Sequence, residues 1–185
     1  MSCTYAYQAD YHITYTCTSC SYFYIKLCDN ERRYNYAGVS RWFRRARISI
    51  AKLEKVVLPI FSEKRQHWSC AVVNLRDQRF EFYDSSTTRT EVKNAAQDCL
   101  ANLRQWLRDE TKETPAASTD IASWPACVPA VAQQENNTDC GVFAAKFMQC
   151  IGDHQPLLGP AEMRARAVIT FRGHLVDALE HKRIK

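Results

Sequence analysis

The stretch between residues 68 and 83 sets the strongest constraint on the fold. Residues 68–74 and 79–83 are two short runs rich in Val, Phe and Tyr, split by the polar turn Arg76-Asp77-Gln78. Side chains of this kind suit a pleated, partly buried surface, so the pattern predicts a β-hairpin. A hairpin alone is marginal in water and needs cover. Residues 56–60, Val-Val-Leu-Pro-Ile, predict a further strand that stops near its proline, because proline cannot donate to a ladder. Val92, Ala95, Ala96, Cys99, Leu100, Leu103 and Leu107 then recur at helical spacing, with Thr90 as N-cap, and predict a helix over 91–107 that packs on the sheet.

The remaining elements are read more coarsely. Residues 21–27 are aromatic and compact, 37–46 read as a short helix or turn, and 63–66 as a polar loop. Residues 109–125 are polar and rich in breakers and read as a surface excursion, followed by a strand within 127–132. Phe143, Phe147 and Ile151 give helical spacing to 140–151. A last helix is expected from Gly159-Pro160, with Met163, Ala167, Phe171, Leu175 and Leu179 as its stripe and a basic end at His181-Lys182-Arg183. Residues 1–20 show no sustained pattern and receive no element. The sum is a sheet flanked by helices, an α+β organisation.

A chain of 185 residues is long enough for one domain with a substantial core. Apolar residues at 46% and charged residues at 24% exclude a disordered chain, and no run approaches the ~20 apolar residues of a membrane span. The first thirty residues do not read as a secretory signal. Nine scattered cysteines, an odd number, fit reduced thiols better than a disulfide framework, so an intracellular setting is expected. The densest basic run is Arg41, Arg44, Arg45 and Arg47 around Trp42 and Phe43. It reads as the solvated side of an amphipathic segment or as a patch for an acidic protein partner, and without a nucleic-acid motif no nucleic-acid partner is expected. Cys3, His12, Cys17, Cys20 and Cys28 offer a weak zinc alternative through Cys17-x-x-Cys20, but no second pair completes a ribbon or finger.

Chemistry concentrates at the hairpin ends. His67 and Asp84 lie equally far from a turn centred between Leu75 and Arg76, so a symmetric two-residue hairpin would set them directly opposite. A carboxylate so placed fixes the imidazole tautomer and stabilises the imidazolium formed on proton abstraction. Cys140 supplies a nucleophile: Asn136-Asn137-Thr138-Asp139 is a polar turn running into an apolar helix, which puts the thiol at a helix N-terminus, where unpaired N–H groups and the dipole favour thiolate. Asp139 opposes that shift, so protonated His67 is expected to be the main stabiliser. Gln134, six residues before Cys140, could turn its amide toward an oxyanion alongside the Cys140 N–H.

These residues resemble the sentrin/SUMO-specific proteases, the Ulp family of ubiquitin-like-protein cysteine proteases. The resemblance is carried by His67-Trp68 before a strand, Tyr83-Asp84-Ser85 after the next, and Gln133-Gln134-Glu135-Asn136-Asn137-Thr138-Asp139-Cys140-Gly141 opening a helix, with weaker similarity from about Tyr22 onward. It implies a papain-like α+β fold with a central mixed sheet flanked by helices, residues 1–20 being an atypical N-terminal segment and 21–185 the protease domain. It also implies a monomeric nuclear or cytoplasmic enzyme without cofactor or metal. The implied activity is cleavage after the C-terminal Gly-Gly of SUMO or a relative and its conjugates, with His67, Asp84, Cys140 and Gln134 in the roles above. Trp68 would line the narrow tunnel for the diglycine tail. NEDD8 or ubiquitin as the modifier, or a catalytically weak binding module, are the alternatives. The family carries a Trp-Leu-Asn-Asp-type motif upstream that helps roof the tunnel. Residues 1–20 hold no tryptophan, so another element must cover the site or substrate binding is weakened.

Overall fold

The computed structural model describes residues 5–9, 12–16, 21–28, 33–112, 120–157, 159 and 165–180; for 5–9, 12–16, 21, 165–166 and 178–180 only the backbone is described. Six strands form one sheet in chain order: β1 (Tyr5–Ala9), β2 (His12–Thr16), β3 (Lys55–Ser62), β4 (His67–Asn74), β5 (Arg79–Tyr83) and β6 (Ala126–Cys127). The β1–β2, β3–β4 and β4–β5 pairs are antiparallel, whereas β2–β3 and β5–β6 are parallel. The sheet is therefore mixed, as expected. The helices are α1 (Ser21–Leu27), α2 (Trp42–Arg45), α3 (Arg89–Thr111), α4 (Cys140–Gly152) and α5 (Ala165–Glu180).

Both faces of the central strands are covered, which explains why β3 and β4 read as nearly continuous apolar runs. Val56, Leu58, Ile60, Ala71, Val73, Phe80 and Phe82 belong to one core with Leu100, Leu103, Trp106 and Leu107 of α3 and Phe23 and Phe43 of α1 and α2. The alternate residues Val57, Cys70, Val72 and Tyr83 belong to a second core with Phe143, Phe147, Met148 and Ile151 of α4 and Val168 of α5. The period-two alternation of a strand thus assigns successive residues to two different helical layers. Trp106 has no exposed surface, and its ring lies 5.2 Å from Phe23 and 5.5 Å from Phe43, centroid to centroid.

Several expectations need correction. β3 does not stop at its proline: Pro59 pairs with Cys70 within the strand. The β2–β3 pairing ends at Val57, so Pro59 lies where β3 has an edge-like side, and a missing N–H is tolerated there. The β4–β5 turn has four residues, because Asn74 pairs with Arg79 and Cys70 with Tyr83. The backbone N–H groups of Leu75 and Arg76 both donate to Glu54 O, at 2.8 and 3.1 Å, and Gln78 takes a left-handed φ of 53° to close the loop. α3 starts at Arg89 with Thr88 in the N-cap position, and Thr88 makes no side-chain cap bond.

The strand expected within 127–132 shrinks to the two residues of β6. The excursion over 109–125 ends in the core, where Ile121 and Trp124 are buried and the Arg104 side chain donates to Ile121 O and Ala122 O. Residues 1–20, which the sequence left without an element, contribute β1 and β2; their Tyr, Thr and Ile content suits strands. Gly159 is outside any helix and α5 is described from Ala165, while Pro160, Met163 and the basic end at 181–183 lie outside the described residues.

Candidate active site

His67 opens β4, and Asp84 follows the last residue of β5. Continuing the observed register one step past Cys70–Tyr83 sets Ser69, not His67, opposite Asp84. His67 is two residues further along, the diagonal neighbour on the same face. Direct opposition was thus the wrong geometry, yet the side chains meet: His67 Nε2 lies 2.7 Å from Asp84 Oδ1, and Ser69 Oγ donates to Asp84 Oδ2 at 3.1 Å. An ionised carboxylate only accepts, so Nε2 carries the proton in this contact and Nδ1 remains to exchange a proton with a nucleophile.

Two further donors complete the shell of Asp84. Arg65 Nη1 donates to Oδ2 at 2.8 Å, and the Ser86 backbone N–H donates to Oδ1 at 2.8 Å. The Asp84 side chain has no exposed surface, so burial pushes its pKa up. The hydrogen bonds from His67, Arg65 and Ser86 outweigh that and hold it at about 2. It is therefore an anion throughout the neutral range. Arg65 also lies 3.6 Å from Glu91 in the first turn of α3.

Cys140 is the first residue of α4 and is buried. Val142 and Phe143 N–H groups donate to Asp139 O, which leaves those of Cys140 and Gly141 without an acceptor inside the helix. An aspartate at the N-cap usually turns its carboxylate onto the N–H of the second or third helical residue, here Gly141 or Val142, but Asp139 makes no such bond. Its carboxylate instead pairs with Arg172 of α5 and accepts from Asn136 Nδ2 at 2.7 Å. Burial raises the Asp139 pKa, and these two partners more than reverse that, holding it below the ordinary carboxylate range. Asn136 Oδ1 also accepts from the Thr138 and Asp139 backbone N–H groups at 2.9 and 3.0 Å, folding the loop tightly in front of the helix.

Two contacts bring the hairpin and the helix together, each one residue along from a candidate. Trp68 packs so close to the start of α4 that a Cβ on Gly141 would meet its Cδ1 at 3.5 Å, and its other flank rests on Phe61 with ring centroids 4.8 Å apart. Ser85 holds Gln134 twice: its carbonyl accepts from Gln134 N at 2.9 Å, and its hydroxyl donates to Gln134 Oε1 at 2.7 Å. Fixing Oε1 this way aims the amide nitrogen away from Ser85. One N–H of Nε2 donates to Asn136 O, which leaves the other unassigned.

The structure thus joins His67 to Asp84 directly, and sets Trp68 against the residue after Cys140 and Gln134 against the residue after Asp84. Sequence reasoning missed Arg65, Ser69 and Arg172, and named Ser85 and Asn136 only as parts of the motifs, without a role. A four-residue turn would have pointed to Ser69; nothing marks Arg65 or Arg172 before folding. Other cysteines differ in setting: Cys70 and Cys99 are fully enclosed, and burial raises both thiols well above their ordinary range. Among the described residues no group of His, Cys, Asp and Glu could hold a metal, while Cys3, Cys17 and Cys20 lie outside them. Among those residues, too, no helix is long and apolar enough to cross a membrane.

Comparison with known proteins identifies the family. The chain is 29% identical over 131 residues to ubiquitin-like-specific protease 1A of Arabidopsis thaliana and 30% identical over 122 residues to human sentrin-specific protease 5. These alignments take in 69% and 65% of the chain but only 24% and 15% of the relatives, so the chain spans a quarter or less of their length. Among solved structures, the C-terminal Ulp1 protease domain in complex with Smt3, the yeast orthologue of SUMO, shares the fold. Its TM-score is 0.71 at 23% identity, covering 89% of this chain and 67% of that one. Residues 9–157 match the Ulp1 protease family, C-terminal catalytic domain, and the chain belongs to that family.

Proposed function

We propose that this chain is a cysteine protease that cleaves after the C-terminal Gly-Gly of SUMO, from precursors and from conjugates. The observation that carries the reading is the buried His67–Asp84 pair at 2.7 Å beside a helix that begins with Cys140. Cys140 is the nucleophile, His67 the acid and base, Asp84 the group that orients His67, and Gln134 the side-chain oxyanion donor. The family relationship, and the neighbour's complex with Smt3, support SUMO as the modifier.

The chemistry follows from the atoms available. Cys140 Sγ gives its proton to His67 Nδ1, and the thiolate attacks the carbonyl carbon of the terminal glycine. Negative charge develops on the carbonyl oxygen, where the Cys140 N–H and the second N–H of Gln134 Nε2 stabilise it. Collapse breaks the C–N bond, and the imidazolium proton passes to the leaving amine, leaving a thioester on Cys140. Water, deprotonated by His67, attacks the thioester and releases the carboxylate and the thiol. Trp68, wedged between Phe61 and Gly141, is a rigid wall suited to a tail without side chains. A reducing compartment, the nucleus or the cytoplasm, keeps such a thiol active, and the enzyme works as a monomer.

The test is a panel of SUMO, NEDD8 and ubiquitin carrying a C-terminal electrophile, applied to the wild type and to Cys140→Ala. Labelling by the SUMO probe that disappears in Cys140→Ala is expected. Labelling by ubiquitin or NEDD8 alone would overturn the choice of modifier. Binding of SUMO by both proteins, with no labelling and no cleavage, would overturn the enzyme.

A further inference from the structure

Asp139 poses a physical problem for the reading above, since a carboxylate next in sequence to a nucleophilic thiol repels the thiolate that must form. We infer that Arg172 of α5 is a positioning residue that offsets this by taking the Asp139 carboxylate out of the helix N-terminus and cancelling its charge. The inference rests on Cys140 being the nucleophile. Arg172 Nη2 donates both to the Asp139 carboxylate and, at 3.3 Å, to Thr138 O, so one guanidinium grips two consecutive residues of the loop before Cys140. Asn136 holds the other carboxylate oxygen, and the carboxylate makes no cap bond to the helix.

Two effects on the active site follow. The Gly141 N–H, which an Asp139 cap would otherwise take, stays clear of that carboxylate, so the end of the helix remains open to an oxyanion. The thiol also sees an ion pair in place of a lone anion. Among the described residues, the charged and titratable groups that bear on this end of α4 are Glu135 and Asp139 of the loop before it, Arg172 from α5, His67 and Asp84 from the β4–β5 side and Arg65 from the β3–β4 turn. Of these, Arg172 alone comes from a helix with no other tie to the proposed chemistry. Through it the C-terminal helix reaches the nucleophile without touching substrate.

The experiment measures alkylation of Cys140 by iodoacetamide against pH, resolved by mass spectrometry of the Cys140 peptide. Cys150, buried toward the opposite end of α4, is the internal reference. Arg172→Gln should move the Cys140 inflection upward by up to ~1 pH unit, the size expected for one partly screened charge, and slow alkylation at pH 7 by roughly 3–10-fold. Arg172→Lys should restore most of it. In an Asp139→Asn background, Arg172→Gln should have no further effect on the inflection, because there is no carboxylate left to offset. An unchanged inflection in Arg172→Gln, or an equal shift in both backgrounds, overturns the inference while leaving the nucleophile intact. A wild-type Cys140 no more reactive than Cys150 overturns the nucleophile assignment itself.

Discussion

Replacing Asp84 with Asn keeps the size of the side chain, removes its charge and turns one acceptor oxygen into a donor facing the donors around it, so it tests whether this buried carboxylate is held as an anion. Its pKa of about 2 against an ordinary 3.8 corresponds to about 2 kcal/mol of folding free energy. Arg65, whose side chain is only 12% exposed, loses its partner at 2.8 Å and keeps only Glu91 at 3.6 Å. That hydrogen bond is among the causes of the depressed pKa, so its loss is counted within the same ~2 kcal/mol. The sign follows from the direction of the shift. A carboxylate whose pKa is depressed on folding stabilises fully above its unfolded value, and that contribution fades as pH falls toward the folded value. The stability gap between wild type and Asp84→Asn should therefore be flat above about pH 5, narrow below about pH 4, and have largely closed near pH 2. Urea unfolding followed by tryptophan fluorescence at stepped pH measures both proteins under the same conditions. A neutral-pH gap below ~1 kcal/mol, or one that persists unchanged into acid, would refute the account of Asp84 as a charge held by three elements of the fold.

Gln134→Ala should lower kcat by ~10²–10³ with KM little changed, since an oxyanion donor acts in the transition state; a rise in KM at constant kcat in steady-state cleavage would instead make Gln134 a binding residue. Trp106→Ala should cost ~3–5 kcal/mol in chemical denaturation, because a fully buried indole packed between Phe23 and Phe43 leaves a cavity. Its cleavage rate, measured where the variant is still folded, should be close to wild type, as that core lies on the sheet face away from α4.

The sequence carried the central hairpin, α3 and α4 well because their apolar spacing follows the period of the element. Val92, Ala96, Cys99, Leu100, Leu103 and Leu107 are all buried on α3 as their stripe requires. The sequence carried less of what depends on neighbours. Pro59 reads locally as a strand end, and only the extent of β2 reveals that its strand can continue. The turn length between β4 and β5 was misjudged by two residues, yet a shift of two preserves the face, so His67 and Asp84 still meet. A shift of one would have sent them to opposite sides. Arg65 and Arg172 gain their meaning entirely from partners 19 and 33 residues away, which no local pattern announces.

The pairing of the β4–β5 hairpin bears on the order in which the molecule is assembled. His67 and Asp84 are joined across 17 residues by a short loop, and contacts so local close early and at small entropic cost. Cys140 sits beyond the whole of α3 and the excursion after it, and reaches them only when α4 docks against Trp68. A partly folded chain can thus hold the proposed base without the proposed nucleophile. Under the proposed function, docking of α4, more than formation of the hairpin, is the event that completes the site.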